Sequence, residues 1–153
     1  MSDHPMKPII PALGGFHRKA AGLSYPIIRF CTGLFLMPHG AGKLFGWFGG
    51  NIEATAGFFA AKGLEPALPL AYLVGATEFF GGFFLAIGVF VRPTALAVTV
   101  LMAVAVFHIH LANGFFWNKG GFEYPLLWGI IAFALVLGGA GRWSVDRWIG
   151  REF

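Results

Sequence analysis

Five side chains that can gain or lose a proton lie inside or at the ends of apolar segments of this chain. They are His39, Glu78, His108, His110 and Glu123. The hydrocarbon core of a membrane penalises such groups by several kcal/mol unless they are paired or face a cavity. Imidazoles and carboxylates also transfer protons near neutral pH. These residues therefore predict a polar site, where a ligand binds or protons are relayed, within an apolar protein.

The composition indicates a membrane protein. Of the 153 residues, 57% are hydrophobic and 12% are charged, whereas soluble domains carry about 25% charged residues. A single cysteine, Cys31, excludes an intrachain disulfide and a CxxC redox pair. No basic stripe is interleaved with exposed aromatic residues, so a nucleic-acid partner is not expected. Ser24, Ser144 and Cys31 have no suitably spaced base that would make them nucleophiles.

Four apolar runs, at about residues 25–45, 68–91, 93–112 and 124–140, approach the roughly 20 residues that a helix needs to cross a bilayer. They predict an all-α membrane protein, an antiparallel bundle of four transmembrane helices. A very short turn at 91–93 would make the second and third helices a hairpin. Pro93 and Pro125 suit the first turns of helices, and Pro38 predicts a kink near His39.

The segments outside these runs divide the chain into three parts. Residues 1–24 have no apolar core of a signal peptide and are expected along the cytoplasmic surface. Residues 25–147 form the membrane domain, and residues 148–153 a cytoplasmic tail. Between the first two spans, Asn51 resembles an N-cap for a short amphipathic helix that ends near Lys62-Gly63.

The placement of basic residues predicts the orientation in a bacterial inner membrane. Eight of the 11 Lys and Arg residues fall on one side and three on the other if both termini are cytoplasmic. The cytoplasmic set is Lys7, Arg18, Lys19, Arg29, Arg92, Arg142, Arg147 and Arg151. This topology places the ionisable groups at one depth, in the outer half of the bundle.

Helical spacing gives expectations for individual side chains. Lys43 follows His39 at i+4 and shares its face. The stripe of Ala95, Thr99, Ala103 and His110 predicts that His110 points into the bundle, with His108 about 200° away on an ideal helix. Glu78 is expected to pair with His39, Lys43 or His110. Gly82 and Ala86 form a small-xxx-small pair that favours close helix approach.

Plainer interpretations exist for most of the polar residues. His39 and Lys43 would then terminate the first helix, and His108 and His110 would be solvated at the interface. Glu123 would be a first-turn carboxylate on a helix N-terminus. Arg29 would snorkel as a topology anchor, and the basic tail at 142–151 would rest on the membrane surface.

Several spaced motifs together carry a family resemblance. They are Arg29, Gly33, His39-Gly40 and Lys43-Leu44-Phe45, then Glu78-Phe79-Phe80-Gly81-Gly82, Gly88 and Arg92, then His108, Gly114-Phe115 and Glu123-Tyr124, and the tail Gly141-Arg142-Trp143-Ser144-Val145-Asp146-Arg147. This set resembles the DoxX family of small four-helix bacterial membrane proteins, over residues 25–147. The resemblance implies association with oxidoreductase systems, such as the related DoxD subunit of thiosulfate:quinone oxidoreductase and a mycobacterial complex with superoxide dismutase.

Three functions remain open at this level. The first is a membrane subunit of an oxidoreductase system, in which His39, Lys43, Glu78, His108, His110 and Glu123 bind a quinone or relay protons. The second is a metal or haem site built from the histidines with Glu78 or Glu123, although no HxxxH or ExxH spacing supports it. The third is a non-catalytic module that holds a protein partner or a second copy of the chain, or a small-molecule carrier. We adopt the first as the working hypothesis and leave open whether the chain turns over a substrate alone.

Overall fold

The computed structural model describes residues 9–153, and every regular element in that range is a helix. A 3₁₀ turn, Pro11–Leu13, leads into the first helix. The helices are α1 (Gly14–Phe45), α2 (Ile52–Ala61), α3 (Ala67–Ile87), α4 (Val91–Asn113), α5 (Glu123–Gly138) and α6 (Val145–Trp148). Two of them contain π-helical segments, Thr77–Gly81 in α3 and Ala105–His110 in α4.

Three of these helices are long and apolar enough to cross a membrane, namely α1, α3 and α4. The chain is therefore a multi-pass membrane protein. Helix α5 has 16 residues and falls short of the roughly 20 that a span needs, so the fourth span stays a prediction. Large apolar side chains such as Phe107, Ile130 and Leu137 are more than half exposed, as expected for surfaces that face lipid.

Helix α1 begins earlier than the hydropathy pattern predicts. It runs unbroken for 32 residues through Pro26 and Pro38, about 48 Å at 1.5 Å per residue. Residues 14–24, expected as a separate surface segment, are instead its first turns. Lys7, which belongs to the basic set, lies outside the described residues. The kink near His39 stays a prediction.

The turn between α3 and α4 lies three residues before the predicted position. Gly88 and Phe90 have φ of 77° and 48°, and α4 begins at Val91. Pro93 therefore lies inside the first turn of α4, where its missing N–H costs no hydrogen bond. The prediction that a tight turn joins these two helices is confirmed, but its assignment to residues 91–93 is wrong.

Helices α1 and α3 approach closely through glycines. A Cβ on Gly33 would collide with the carbonyl oxygen of Gly82 and the backbone of Ala86. Gly40 meets the backbone of Gly75 and Phe79 in the same way. The predicted small-residue contact at Gly82 and Ala86 is confirmed, and it brings the two backbones together as small residues do in membranes.

Helix α4 buries a different face from the predicted one. Its buried residues Val91, Ala95, Val98 and Met102 pack with Ala132 and Leu135 of α5 and with Leu36 and Leu85. The predicted stripe is wrong at Ala103, which is exposed. The straight spacing of four from Ala95 drifts around an α-helix, whereas the buried set alternates steps of three and four.

Helix α2 packs in a second, smaller apolar cluster. Ile52 and Phe59 contact Ala71 of α3, with Ile109 of α4 at the edge. The Asn51 side chain accepts a hydrogen bond from the N–H of Ala54 at 2.9 Å, so the predicted N-cap and short helix are confirmed. Gly63, at φ 74°, follows the end of the helix.

Arg29 is buried, with 2% exposure, and the snorkelling prediction is wrong. Its guanidinium donates to the carbonyl of Leu85 at 3.0 Å, to that of Ala140, and to that of Trp143 at 2.6 Å. These carbonyls lie at or beyond the ends of α3 and α5. One side chain thus satisfies acceptors that helix termini leave without partners.

Asp146 is buried beside Arg29, with 1% exposure. Its carboxylate accepts from the N–H groups of Phe90 and Val91 at 3.0 and 3.2 Å, which caps α4. The interpretation of residues 142–151 as a surface anchor is therefore wrong for Asp146. Trp148 is 86% exposed, and its position at the membrane surface stays a prediction.

Candidate functional site

The centre of the candidate site is an ion pair between α1 and α3. Lys43 Nζ lies 2.6 Å from Glu78 Oε2, with side-chain exposures of 23% and 10%. Lys43 is one of the three partners predicted for Glu78, so the pairing prediction is confirmed. The close approach of α1 to α3 at Gly40 brings the last turn of α1 against the turn that carries Glu78.

A cavity of about 1100 Å³ adjoins this pair. Residues of α1, α2, α3, α4 and α5 line it, and most of them are apolar. It lies between the two apolar clusters, with Leu36 and Met102 from the larger cluster and Phe59 from the smaller. The polar or ionisable side chains on its wall are His39, Lys43, Asn51, Thr55, Thr77, Glu78, His110 and Tyr124.

Both π-helical segments border the same cavity. The segment in α3 contributes Thr77 and Glu78, and the segment in α4 contributes Ala105, Ile109 and His110. A π turn uses i→i+5 hydrogen bonds, is rare, and is frequently found at functional sites. The wider turns re-aim side chains relative to an ideal α-helix. Rules that assume 3.6 residues per turn therefore could not predict the directions of these side chains.

The two histidines of α4 contact different loops. His110 Nδ1 lies 2.7 Å from the carbonyl oxygen of Gly120, and His108 Nε2 lies 2.9 Å from that of Lys62. Their predicted divergence agrees with these contacts. His110 lines the cavity, whereas the side chain of His108 ties the end of α2 to α4 and is absent from the cavity wall.

Glu123 lies in the first turn of α5 and does not line the cavity. Its Oε2 accepts a hydrogen bond from the N–H of Trp117 at 3.1 Å. The same loop is closed by hydrogen bonds from Phe122 and Glu123 to the carbonyls of Gly114 and Phe115. This geometry matches the plainer interpretation of a first-turn carboxylate.

The ligand set of the metal hypothesis is not assembled. Within residues 9–153 no group of three or more His, Cys, Asp or Glu side chains lies close enough to hold a metal ion. Two of the histidines, His39 and His110, line the cavity. His108 instead contacts the carbonyl oxygen of Lys62. The arrangement instead combines hydrogen-bond donors, one carboxylate and imidazoles on an apolar surface.

The burial of two charged residues, Arg29 and Asp146, was not predicted from the sequence. Both residues belong to the motifs that carried the family resemblance. Arg29 was expected to be a topology anchor, and Asp146 was assigned no structural role. They lie far apart in the sequence, and only the folded chain places both at the end of α3 and the start of α4. Arg29 precedes Lys43 by 14 residues, about 21 Å along α1, so this cluster is separate from the cavity.

The family is decided by comparison with known proteins. Residues 25–111 match the DoxX family model. The chain belongs to the DoxX family. The matched segment contains His39, Lys43, Glu78 and His110, whereas Glu123 and the tail motif lie beyond it.

Two curated relatives come from Haemophilus influenzae, and each is described as an uncharacterized protein. One is 30% identical over 135 residues, which cover 87% of this DoxX protein and 87% of the relative. The other is 35% identical over 82 residues, which cover 52% of this chain and 61% of the relative. No solved structure matches the chain.

Proposed function

We propose that this DoxX protein is the membrane subunit of an oxidoreductase system and that its cavity binds a quinone. One observation carries the proposal: an ion pair and two histidines lie on the wall of a large, mostly apolar cavity between α1, α2, α3, α4 and α5. A buried ion pair is weak evidence for stability alone, since apolar residues of similar volume stabilise as well or better. Binding of a ligand that needs polar contacts would explain why the ion pair is present in an apolar wall.

The chemistry of a quinone suits this wall. A quinone has a flat, conjugated ring with carbonyl acceptors and a long apolar tail. Lys43 carries three donors, one of which is engaged by Glu78. The same cavity wall also has apolar and aromatic surface, supplied by Phe35, Leu101 and Trp128.

Proton transfer completes the argument. Reduction of a quinone to a quinol takes up protons in equal number to electrons. Imidazoles change charge near neutral pH and serve as general acids and bases. His39 and His110 on the cavity wall would relay these protons, while a partner subunit of the complex would exchange the electrons.

We further propose that α5 is a fourth span, so that α1, α3, α4 and α5 form an antiparallel bundle. Helix α5 makes its most extensive contacts with α4 and exposes Ile130, Phe133 and Leu137. A span shorter than the bilayer is accommodated by local thinning at modest cost. The Lys and Arg distribution supports cytoplasmic termini in the inner membrane and a cavity towards the outer side.

The test is direct binding of a short-chain ubiquinone or menaquinone analogue to the purified protein in detergent, measured by tryptophan quenching. The decisive variant is the double substitution Lys43→Met with Glu78→Met. It replaces the ion pair by apolar side chains of similar length, so the fold should be retained while quinone affinity falls.

The matched control is His17→Ala, which removes an exposed histidine of α1 outside the cavity and should leave affinity unchanged. If wild type binds no quinone analogue, or the folded double variant binds as tightly as wild type, the quinone proposal is wrong. The protein would then be better described as a scaffold whose polar residues join helices in pairs.

A further inference from the structure

The hydrogen bond of His110 fixes the position of its proton. A carbonyl oxygen has no proton to give, so the contact at 2.7 Å between His110 Nδ1 and Gly120 requires that Nδ1 donate. The same carbonyl accepts from the side-chain amide of Asn113 at 3.0 Å, which further holds it in place. In the neutral imidazole, Nε2 is then the bare nitrogen, and it can only accept.

The location of His110 gives this tautomer a consequence. The residue lines the cavity and is half-buried, and one side of its ring is already engaged with the loop at Gly120. Nε2 is therefore the ring nitrogen available to a ligand. The ammonium of Lys43, on the same wall, can only donate, so the two residues offer a ligand opposite roles.

We infer that Nε2 of His110 is a hydrogen-bond acceptor on the cavity wall, and that the cavity holds a ligand with a hydroxyl or N–H donor on its head group. This inference rests on the proposed quinone site and specifies its redox form. A quinone has only acceptors, whereas a quinol has two hydroxyl groups that both donate and accept. The quinol thus satisfies His110 through a hydroxyl proton and Lys43 through an oxygen lone pair.

The second histidine of the cavity wall, His39, does not have a fixed tautomer. In the part of the chain from residue 9 onward, no backbone carbonyl fixes the tautomer of His39. Its ring is free to present either nitrogen as a donor, so it accommodates both redox forms. Substitution of His39 therefore gives a control histidine on the same cavity wall.

The first test needs no ligand. Histidine labelled with ¹⁵N in the purified protein, at a mildly alkaline pH where imidazoles are neutral, reports which ring nitrogen is protonated. The signals of His110 are assigned by their loss in His110→Asn. The expected result is protonation at Nδ1, and protonation at Nε2 would overturn the inference.

The second test compares two ligands of which only one has hydroxyl protons, since methyl groups replace those protons in the other. A short-chain ubiquinol analogue and its dimethyl ether share the ring and tail, but the ether has no hydroxyl proton. Wild type should bind the quinol about tenfold more tightly, the contribution of about one hydrogen bond. Binding is measured anaerobically so that the quinol stays reduced.

Two variants locate the source of this preference. His110→Asn keeps an amide N–H near the position of Nδ1, so the bond to Gly120 is retained, but it lacks Nε2 and should lose the preference. His39→Asn should keep it. Equal affinity of wild type for both ligands overturns the inference and leaves the quinone site standing. Failure of quinol, ether and oxidised quinone alike overturns both.

Discussion

At the scale of single residues, the pair Lys43–Glu78 shows what burial demands of a charge. Glu78 lies in a turn of α3 with 7% exposure, and a carboxylate there needs a partner within hydrogen-bond reach. The sequence predicted this need and narrowed the partner to three candidates. It could not choose among them, because the choice depends on the close approach of α1 and α3 at Gly40.

A double-mutant cycle on this pair should be strongly non-additive. Lys43→Met or Glu78→Met alone leaves a charge stranded in an apolar wall and should cost about 3–5 kcal/mol of stability. The double substitution should recover most of that loss, because no charge remains. Unfolding in detergent measures all four proteins, with Phe107→Ala, a 71% exposed side chain, as a control of small effect. Additive losses would show that the two groups do not interact.

Glu152 offers a pH test away from the membrane spans. The hydrogen bond from the N–H of Ala140, and then the side chain of Arg92, hold the pKa of Glu152 below its ordinary value of 4.5. A depressed carboxylate pKa stabilises the fold above the ordinary value, and this contribution is lost as pH falls through the folded pKa. The side chain is 46% exposed, so solvent screens the effect and it should be small.

Glu152→Gln should therefore reduce the loss of stability on acidification below pH 4.5. Melting temperatures of wild type and variant, measured from neutral to acidic pH, should converge at the acidic end. Added salt should narrow the difference at neutral pH, since it screens the contact with Arg92. Curves that stay parallel at every pH would show that Glu152 contributes nothing through its charge.

At the scale of the helices, glycine decides which pair of backbones can touch. A Cβ on Gly33 has no room against Gly82 and Ala86, whereas one on Gly57 in α2 meets nothing within 4 Å. The same change of residue thus has opposite consequences at two helical positions. At Gly33 the added Cβ forces α1 away from α3. At Gly57 it only reduces the conformational freedom of the unfolded chain.

Gly33→Ala should destabilise the protein by about 1–3 kcal/mol, the usual cost of overpacking. Gly57→Ala should stabilise it by about 0.5–1 kcal/mol. Thermal unfolding in detergent measures both. Because Lys43 and Glu78 meet across the same α1–α3 contact, Gly33→Ala should also weaken quinone binding. A neutral Gly33→Ala would mean that α1 and α3 separate without cost.

The elements themselves were largely readable from the sequence. Apolar runs predicted the spans, and Asn51 with Gly63 predicted α2. The first turns of α1 were missed because residues 14–24 are too polar for a hydropathy signal, although they are helical. The buried face of α4 and its π segment were missed because both depend on packing that a fixed period does not contain.

At the scale of the whole molecule, two polar clusters occupy different levels of an apolar fold. The cluster of Arg29 and Asp146 engages the ends of α3, α4 and α5, and its side chains bond mainly to backbone. The cluster of Lys43 and Glu78 faces a cavity instead. The sequence indicated polar residues at both levels. Only the fold shows that one cluster bonds to the ends of helices and that the other lines a candidate binding cavity.

The orientation of the molecule decides which side of the membrane the cavity faces. Basic residues favour the cytoplasm, so the end of α1 near Arg18 and the tail at Arg151 should lie there. The turn at Lys119 and helix α2 should lie outside. In a Cys31→Ala background, Gly57→Cys and Lys119→Cys should react with an impermeant maleimide in intact cells or right-side-out vesicles.

Arg151→Cys should react only after the membrane is permeabilised, and a reporter fused after Phe153 should show cytoplasmic activity. All three labelled positions are exposed on the protein, so burial within the protein does not account for a difference in reactivity. Labelling of Arg151→Cys from outside would show that the orientation of the protein in the membrane is the opposite of the predicted one. The cavity would then open towards the cytoplasm, and the partner that exchanges electrons would have to be sought on the opposite face.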